Sequence, residues 1–253
     1  MYKRQNLGTA LAAVNEKVVI IDLDPQGNAS TGLGIAGDRR TTSSFDLLAT
    51  QNAGRVDDAI ARDAVIKTNV PNLSIIPSTL DLLGFEAHVS EDARRSFRLS
   101  NAISALKTEE GTAFDYILID CPPSLNLLTL NALTAAHAVL VPLQCEFFAL
   151  EGLGQLIETI NQVRDTLNPA LDVQGIVLTM YDSRNKLAQQ VVEDVQSYFG
   201  DKVYQTLIPR NVRVSEAPSH GKPVLLYDVS CAGSKAYIQL ATEIIERERA
   251  LVA

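Results

Sequence analysis

The chain has 253 residues and a mass of 27.4 kDa, with 46% apolar and 21% charged residues, enough for a sizeable core in one α/β domain or two small ones. Lys and Arg number 22 against 30 Asp and Glu, giving a net charge of −8 and a pI near 4.9. This argues against nucleic-acid binding through the whole surface and leaves a local basic patch open.

In chain order, short β-branched runs recur at 17–22 (KVVIID), 72–77 (NLSIIP), 116–120 (YILID), 138–142 (AVLVP), 173–179 (VQGIVLT) and 203–209 (VYQTLIP). Most are continuously apolar, the pattern of strands covered on both faces. Between them lie segments with helical spacing. Leu7, Ala10, Leu11 and Val14 share one face, as do Leu150, Leu153, Leu156, Ile157 and Ile160. Near the end, Tyr237, Leu240, Ala241, Ile244 and Ile245 form an apolar stripe opposite Glu243, Glu246 and Arg247. Alternating strands and helices predict a doubly wound, mostly parallel sheet with helices on both faces. Residues 1–253 read as a single domain, and segment 36–70, rich in Asp, Arg, Thr and Ser, as a loose surface excursion of it.

No apolar run approaches the roughly 18–20 residues of a membrane span, and Asn15, Glu16 and Lys17 break the first apolar patch, unlike a signal peptide. Cys121, Cys145 and Cys231 lack metal-ligand spacing and suit a reducing compartment. A cytoplasmic protein is expected.

In open parallel sheets, functional groups gather at the carboxyl ends of strands. Here those ends carry Asp22-Leu23-Asp24-Pro25, Pro77-Ser78, Asp120-Cys121-Pro122-Pro123, Pro142-Leu143-Gln144, Thr179-Met180-Tyr181-Asp182 and Pro209-Arg210-Asn211. The run 116–124 has the Walker B pattern, in which a buried strand delivers a carboxylate, Asp120, to orient Mg²⁺ beside nucleotide phosphates. A strand-end Asp that only caps a loop has the same pattern. Asp24 lies past a strand end in a turn whose Gly27 and Asn28 tolerate positive φ. A second carboxylate there can position an attacking water; the bland alternative is a βα loop with Asn28 or Ser30 capping a helix. The window 202–222 holds Lys202, Arg210, Arg213 and Lys222 against Glu216, so it is locally basic. Such a patch can neutralise DNA phosphates without reading bases, or be a solvated loop. Aromatic residues are not interleaved, so stacking on single strands is not expected.

Five ordered blocks carry a family resemblance: IIDLDPQGNASTGLGI, YILIDCPPSLNLLTLNALTAA, VPLQCEFFALEGLGQL, LTMYDSRNKLAQQVVEDV and IPRNVRVSEAPSHGKPVLLYD. From Asn6 to about Glu246 the chain resembles the ParA/Soj chromosome- and plasmid-partitioning ATPases, deviant-Walker P-loop proteins related to MinD. The resemblance implies a P-loop NTPase-like fold, ATP and Mg²⁺ as cofactors, and an ATP-bound homodimer that binds nonspecific double-stranded DNA at the nucleoid. It also implies a ParB-type centromere-binding partner that stimulates hydrolysis. By position, Asp24 matches the Walker A′ aspartate needed for hydrolysis and Asp120 the Walker B aspartate at the metal. Pro209 and Asn211 match contacts near the adenine. Arg184 and Arg213 match arginines that touch DNA.

Members of the family open with an apolar strand and a K-G-G-V-G-K-T-T loop running into the helix that here begins the match; residues 1–5 (MYKRQ) match neither. Lys3 and Arg4 cannot replace that loop, because a phosphate cradle needs glycines for close backbone approach. The absent strand belongs in mid-sheet, so two inner edges should be exposed or forced to re-pair. A truncated start accounts for this, with a P-loop-less, catalytically dead DNA- or partner-binding paralogue as the alternative. The chain as written is expected neither to hydrolyse nor to bind ATP tightly. A MinD-like membrane-cycling role is disfavoured, because the terminal helix pairs Glu243, Glu246 and Glu248 with only Arg247 and Arg249. An iron–sulfur reductase of the same superfamily is disfavoured because Cys121 and Cys145 fall within the partitioning blocks.

Overall fold

The computed structural model describes residues 3–52, 54–106, 111–146 and 149–252. Met1 and Tyr2 of the unmatched start, and Phe147 and Phe148 of the third family block, lie outside the described residues. In chain order the elements are α1 (Lys3–Ala13), β1 (Val18–Asp22), α2 (Asn28–Gly32), α3 (Ser44–Ala49), α4 (Asp58–Ala64), β2 (Ile66–Lys67), β3 (Leu73–Ile76), α5 (Phe85–His88), α6 (Arg98–Ile103), β4 (Tyr116–Asp120), α7 (Leu127–Ala135), β5 (Ala138–Gln144), α8 (Ala149–Thr166), β6 (Asp172–Tyr181), α9 (Lys186–Phe199), β7 (Ile208–Pro209), α10 (Val212–Glu216), α11 (Val224–Tyr227) and α12 (Ala232–Val252).

The strands form two sheets, ordered β2-β3-β1-β4 and β5-β6-β7. β1 lies between β3 and β4, parallel to both, with Val18 opposite Leu73 and Tyr116, and Asp22 opposite Asp120. All five residues of β1 are buried. Burying a Val or Ile side chain contributes about 1.5–3 kcal/mol, so this strand anchors the first sheet. β5 runs parallel to β6 from Ala138 opposite Asp172 to Gln144 opposite Thr179, and β6 is parallel to β7. β2, antiparallel to β3 at the sheet edge, has no counterpart in the sequence-based expectation.

Helices cover both faces, as the continuous apolar strands require. Leu7, Ala10 and Leu11 of α1 pack with Tyr237, Leu240, Ala241 and Ile244 of α12. On the opposite face, Leu47, Leu48, Phe85, Leu99, Leu127 and Leu128 join Val19 and Ile21 of β1. α8 and α9 cover the second sheet through Leu153, Val191 and Val195. The expected stripe of α12 is therefore a core-packing face, and no described helix is long and apolar enough to cross a membrane.

The expected mid-sheet fault is present, in its exposed form. Among the described residues β4 pairs only with β1, and β5 only with β6. Leu118 of β4 and Leu140 of β5 nevertheless pack on the same helical layer, so the two sheets share one core across unpaired edges. Tyr116, Ile117, Leu118 and Ile119 are only half-buried, whereas the β1 residues beside them are fully buried.

Two expectations are corrected. Segment 36–70 is not a loose excursion: Leu47, Leu48, Ala61 and Ala64 are buried. Its polar residues are helix caps, with Ser43 and Asp46 forming a capping box and Asp57 accepting from the Ala59 N–H at 2.7 Å. The strand expected at 203–209 shrinks to Ile208–Pro209 and a single bridge at Val203. Its Gln205 and Thr206 amides donate instead to the Glu243 carboxylate of α12, at 2.8 and 3.0 Å, which removes them from the ladder.

Candidate functional site

The carboxyl ends of β1 and β4 place Asp22 and Asp120 side by side. Both are buried, and the Leu23 N–H donates to the Asp120 carbonyl at 2.8 Å, tying the two strand ends together. Asp24 follows in the turn, half-buried, its backbone fixed from three sides. Its N–H donates to Asp22 Oδ1 at 3.2 Å, while its carbonyl accepts from Ser78 Oγ at 2.7 Å and from the Gly27 N–H at 2.8 Å. Gly27 has φ +63°, and a β-carbon there would collide with the Arg40 guanidinium, so this position needs glycine on two counts. The Asp24 carboxylate accepts from the Gln26 N–H at 3.0 Å and from Asn28 Nδ2 at 3.4 Å.

Neither Asn28 nor Ser30 caps α2 through its side chain; the cap residue is Gly27. Asp22 performs that task from the preceding strand, accepting from the Ser30 N–H at 2.9 Å and Ser30 Oγ at 2.7 Å. Ser30 Oγ accepts in turn from the Ser78 N–H at 3.2 Å. Arg40 donates to the Ser78 carbonyl at 3.3 Å and to Thr31 Oγ1 at 2.9 Å. This network from Asp22 to Arg40 sets the acidic turn; sequence reasoning had Ser30 only as a candidate helix cap and missed Arg40. The available signal was a carboxylate at the last strand position, eight residues before a serine in the next helix. Burial lifts the Asp22 carboxyl above its usual range, with the Ser30 and Asp24 hydrogen bonds opposing.

Because α1 precedes β1 and packs on it, its N-terminus lies at this same rim. Arg4 there forms an ion pair with Asp120 and donates to the Cys121 carbonyl at 3.4 Å. Burial pulls the guanidinium below its usual range, opposed by Cys121, Asp22 and Asp24. The Cys121 thiol is pushed up to about 11 by burial, against the charge of Arg4. Sequence reasoning expected nothing of Arg4 here.

The rim offers acceptors, Asp22, Asp24 and Asp120, with Arg4 committed to Asp120 and Arg40 to Thr31 and the Ser78 carbonyl. Among the described residues no group of three or more His, Cys, Asp or Glu could hold a metal ion. A hydrated Mg²⁺ needs only one or two carboxylates when phosphates complete its shell, so Asp120 suits the metal's share. A triphosphate needs a cradle of amide donors, and among the described residues no glycine-rich loop precedes β1 to supply one. The residues present therefore do not fit ATP.

Pro209 and Asn211 lie at the carboxyl end of β7 in the second sheet. Asn211 caps α10, its Oδ1 accepting from the Arg213 N–H at 2.9 Å. No hydrogen bond among the described residues links Pro209 or Asn211 to Asp24 or Asp120. The loop they open docks further along on the end of α2 and on α1. Gly34 and Gly221 touch so closely that a β-carbon on Gly34 would lie 2.9 Å from the Gly221 carbonyl oxygen, and Asn6 Oδ1 accepts from the Val224 N–H at 2.9 Å.

Arg184 follows β6, exposed, and is bound bidentately by Asp182 at 2.8 and 3.0 Å. Arg213 lies between Glu216 at 3.0 Å and Asp228 at 3.6 Å, above the Tyr227 ring. Arg210 faces Glu146 at 3.8 Å and Lys202 faces Asp172 at 2.9 Å. Three of the four basic residues in the window 202–222 thus meet carboxylates from outside it.

Parallel, helix-covered strands with an acidic rim at their carboxyl ends make a doubly wound α/β fold, and the solved structures it resembles are of the P-loop nucleotide-hydrolase type. The chain resembles cobyrinic acid a,c-diamide synthase from Mycobacterium smegmatis with bound ADP and magnesium, at TM-score 0.79 and 33% identity, covering 98% of this chain and 89% of that one. It also resembles the cell division ATPase MinD of Pyrococcus furiosus, at TM-score 0.74 and 26% identity, covering 97% and 92%. Residues 3–173 match the AAA domain family AAA_31. The chromosome partitioning protein ParA of Caulobacter vibrioides (strain NA1000 / CB15N) is 59% identical over 244 residues, 96% of this chain and 88% of that protein. The sporulation initiation inhibitor protein Soj of Bacillus subtilis (strain 168) is 48% identical over 239 residues, 94% and 90%. The chain belongs to the ParA/Soj family of chromosome-partitioning ATPases.

Proposed function

We propose that this chain is a single ParA-type domain serving DNA segregation, as a bacterial, nucleoid-associated homodimer acting on nonspecific double-stranded DNA with a ParB-type partner. The supporting observation is the pairing of the β1 and β4 ends, which holds the Asp24 turn beside Asp120. In this assignment Asp24 positions the attacking water, Asp120 orients Mg²⁺, and Pro209 and Asn211 border the adenine. Arg184 and Arg213 contact DNA phosphates.

Residues 1–253 by themselves neither hydrolyse nor tightly bind ATP, for want of a donor cradle at the rim. A measurable ATPase rate that disappears in Asp24→Ala would overturn this. The Arg4–Asp120 pair, which places the chain's own cation on the presumed metal carboxylate, favours a second assignment. In that case the chain is a catalytically dead DNA- or partner-binding relative. Gel shifts with and without ATP separate the two, since the dead relative binds DNA without nucleotide.

A further inference from the structure

The arginines of the DNA-binding assignment are not free cations. Arg184 uses Nε and Nη2 on the two oxygens of Asp182, at 3.0 and 2.8 Å, and its own N–H also donates to Oδ1 at 3.0 Å. That carboxyl is held down to about 2, chiefly by Arg184. Arg213 donates to Glu216 Oε2 at 3.0 Å and pairs with Asp228 at 3.6 Å. Glu216 Oε2 also receives the Tyr227 hydroxyl at 3.4 Å, which fixes the carboxylate opposite the guanidinium. Arg210 meets Glu146 at 3.8 Å. Three arginines are therefore met by four carboxylates.

We propose that Asp182 and Glu216 set the DNA affinity of this surface: they hold Arg184 and Arg213 in ion pairs that an incoming phosphate must displace. This inference rests on the second assignment above, in which the chain binds DNA without nucleotide. Phosphate and carboxylate compete for the same planar guanidinium fork, so a bidentate carboxylate is the strongest rival available. Displacement also frees a carboxylate that repels the duplex and recruits a salt cation. That uptake offsets counterion release from the DNA and flattens the salt dependence of binding.

The test is fluorescence anisotropy of a mixed-sequence 30-base-pair duplex titrated with the full chain at several salt concentrations. The variants are Asp182→Asn, Glu216→Gln and their combination, with Arg184→Ala and Arg213→Ala. Asp63→Asn, at an exposed position of α4, is the control for net charge. Asp228 is left intact because its carboxylate also receives Ser230 and Cys231 N–H groups at 3.1 and 3.2 Å. We expect each neutralisation to tighten binding about three- to fivefold, and the pair about tenfold, with a salt slope steeper by about 0.9 per phosphate gained. Asp63→Asn should change affinity less than twofold.

Equal gains from Asp63→Asn and Asp182→Asn would overturn the proposal in favour of net charge. Unchanged affinity in the neutralised variants, with loss in Arg184→Ala and Arg213→Ala, overturns it and leaves the DNA assignment standing. If no variant binds, or neither arginine variant matters, the DNA assignment fails and the proposal with it. Binding by the double neutralised variant alone supports both.

Discussion

Gln5 is buried to 2% exposure, and both polar atoms of its side chain lack a hydrogen-bond partner. A buried unsatisfied amide costs about 1–3 kcal/mol. Gln5→Leu removes the unpaired groups at similar volume and should stabilise the fold by about 1–2 kcal/mol, measured by urea unfolding; destabilisation would show that the amide is paired in solution. Asp22 gives a prediction with a pH sign. Its folded pKa is raised, so its contribution is complete below the unfolded value and is lost as pH rises through the folded one. The stability advantage of wild type over Asp22→Asn should therefore shrink as pH rises from about 4 towards neutrality. An advantage that stays constant or grows over that range would contradict the burial of Asp22. At this scale the sequence showed where carboxylates sit but not what restrains them. Asp24 and Asp120 stood out because strand ends face the site, whereas Arg4 and Arg40 reach the rim from other elements through long side chains.

The helix α12 acts as a fastening as well as a core-packing face. Glu243 accepts from Gln205, Thr206 and Arg247, the last at 2.9 Å, and Arg247 also donates to the Asp201 and Val203 carbonyls at 2.8 Å while covering the Tyr204 ring. Hydrogen bonds to a charged group contribute about 1.5–3 kcal/mol when partly buried. Glu243→Ala should cost about 2–3 kcal/mol by denaturant unfolding, and an effect below about 0.5 kcal/mol would show that water replaces the carboxylate. Glu248 spans the two sheets, receiving the Tyr116 hydroxyl and Gln174 Nε2, each at 2.5 Å. The stripe of α12 was legible from its 3.6-residue period. Its polar attachments were not, because nothing in local spacing links Glu243 to residues 205 and 206. The same cause hid the shortening of β7, where a carboxylate from a distant helix took the amides a strand would have used.

Across the whole molecule, the divided sheet is the main departure from a continuous doubly wound fold. β1 is paired on both sides, while β4 and β5 each present one unpaired edge among the described residues. Amide hydrogen exchange should reveal this directly. Alternate amides along β4 and β5 should exchange at least about tenfold faster than those of β1, because parallel pairing on one side protects every second residue. Uniform protection along β4 would mean that the edge is paired. A fault in mid-sheet was expected from the family resemblance, whose members open with an apolar strand there, and the two sheets are separate. Whether the inner edges would be exposed or re-paired was left open, because sequence does not show whether shared helices can hold two half-sheets apart. Here Leu118 and Leu140 lie on one helical layer, which keeps the halves together without a ladder between them.

At the same scale, we propose that this fold keeps the acidic half of a nucleotide site while its described residues form no cradle for phosphate. Isothermal titration of Mg²⁺ and ATP into residues 1–253 tests it most directly. The prediction is no saturable heat up to about millimolar ATP, about 4 kcal/mol of binding free energy at most. Micromolar binding that Asp120→Ala abolishes would contradict it.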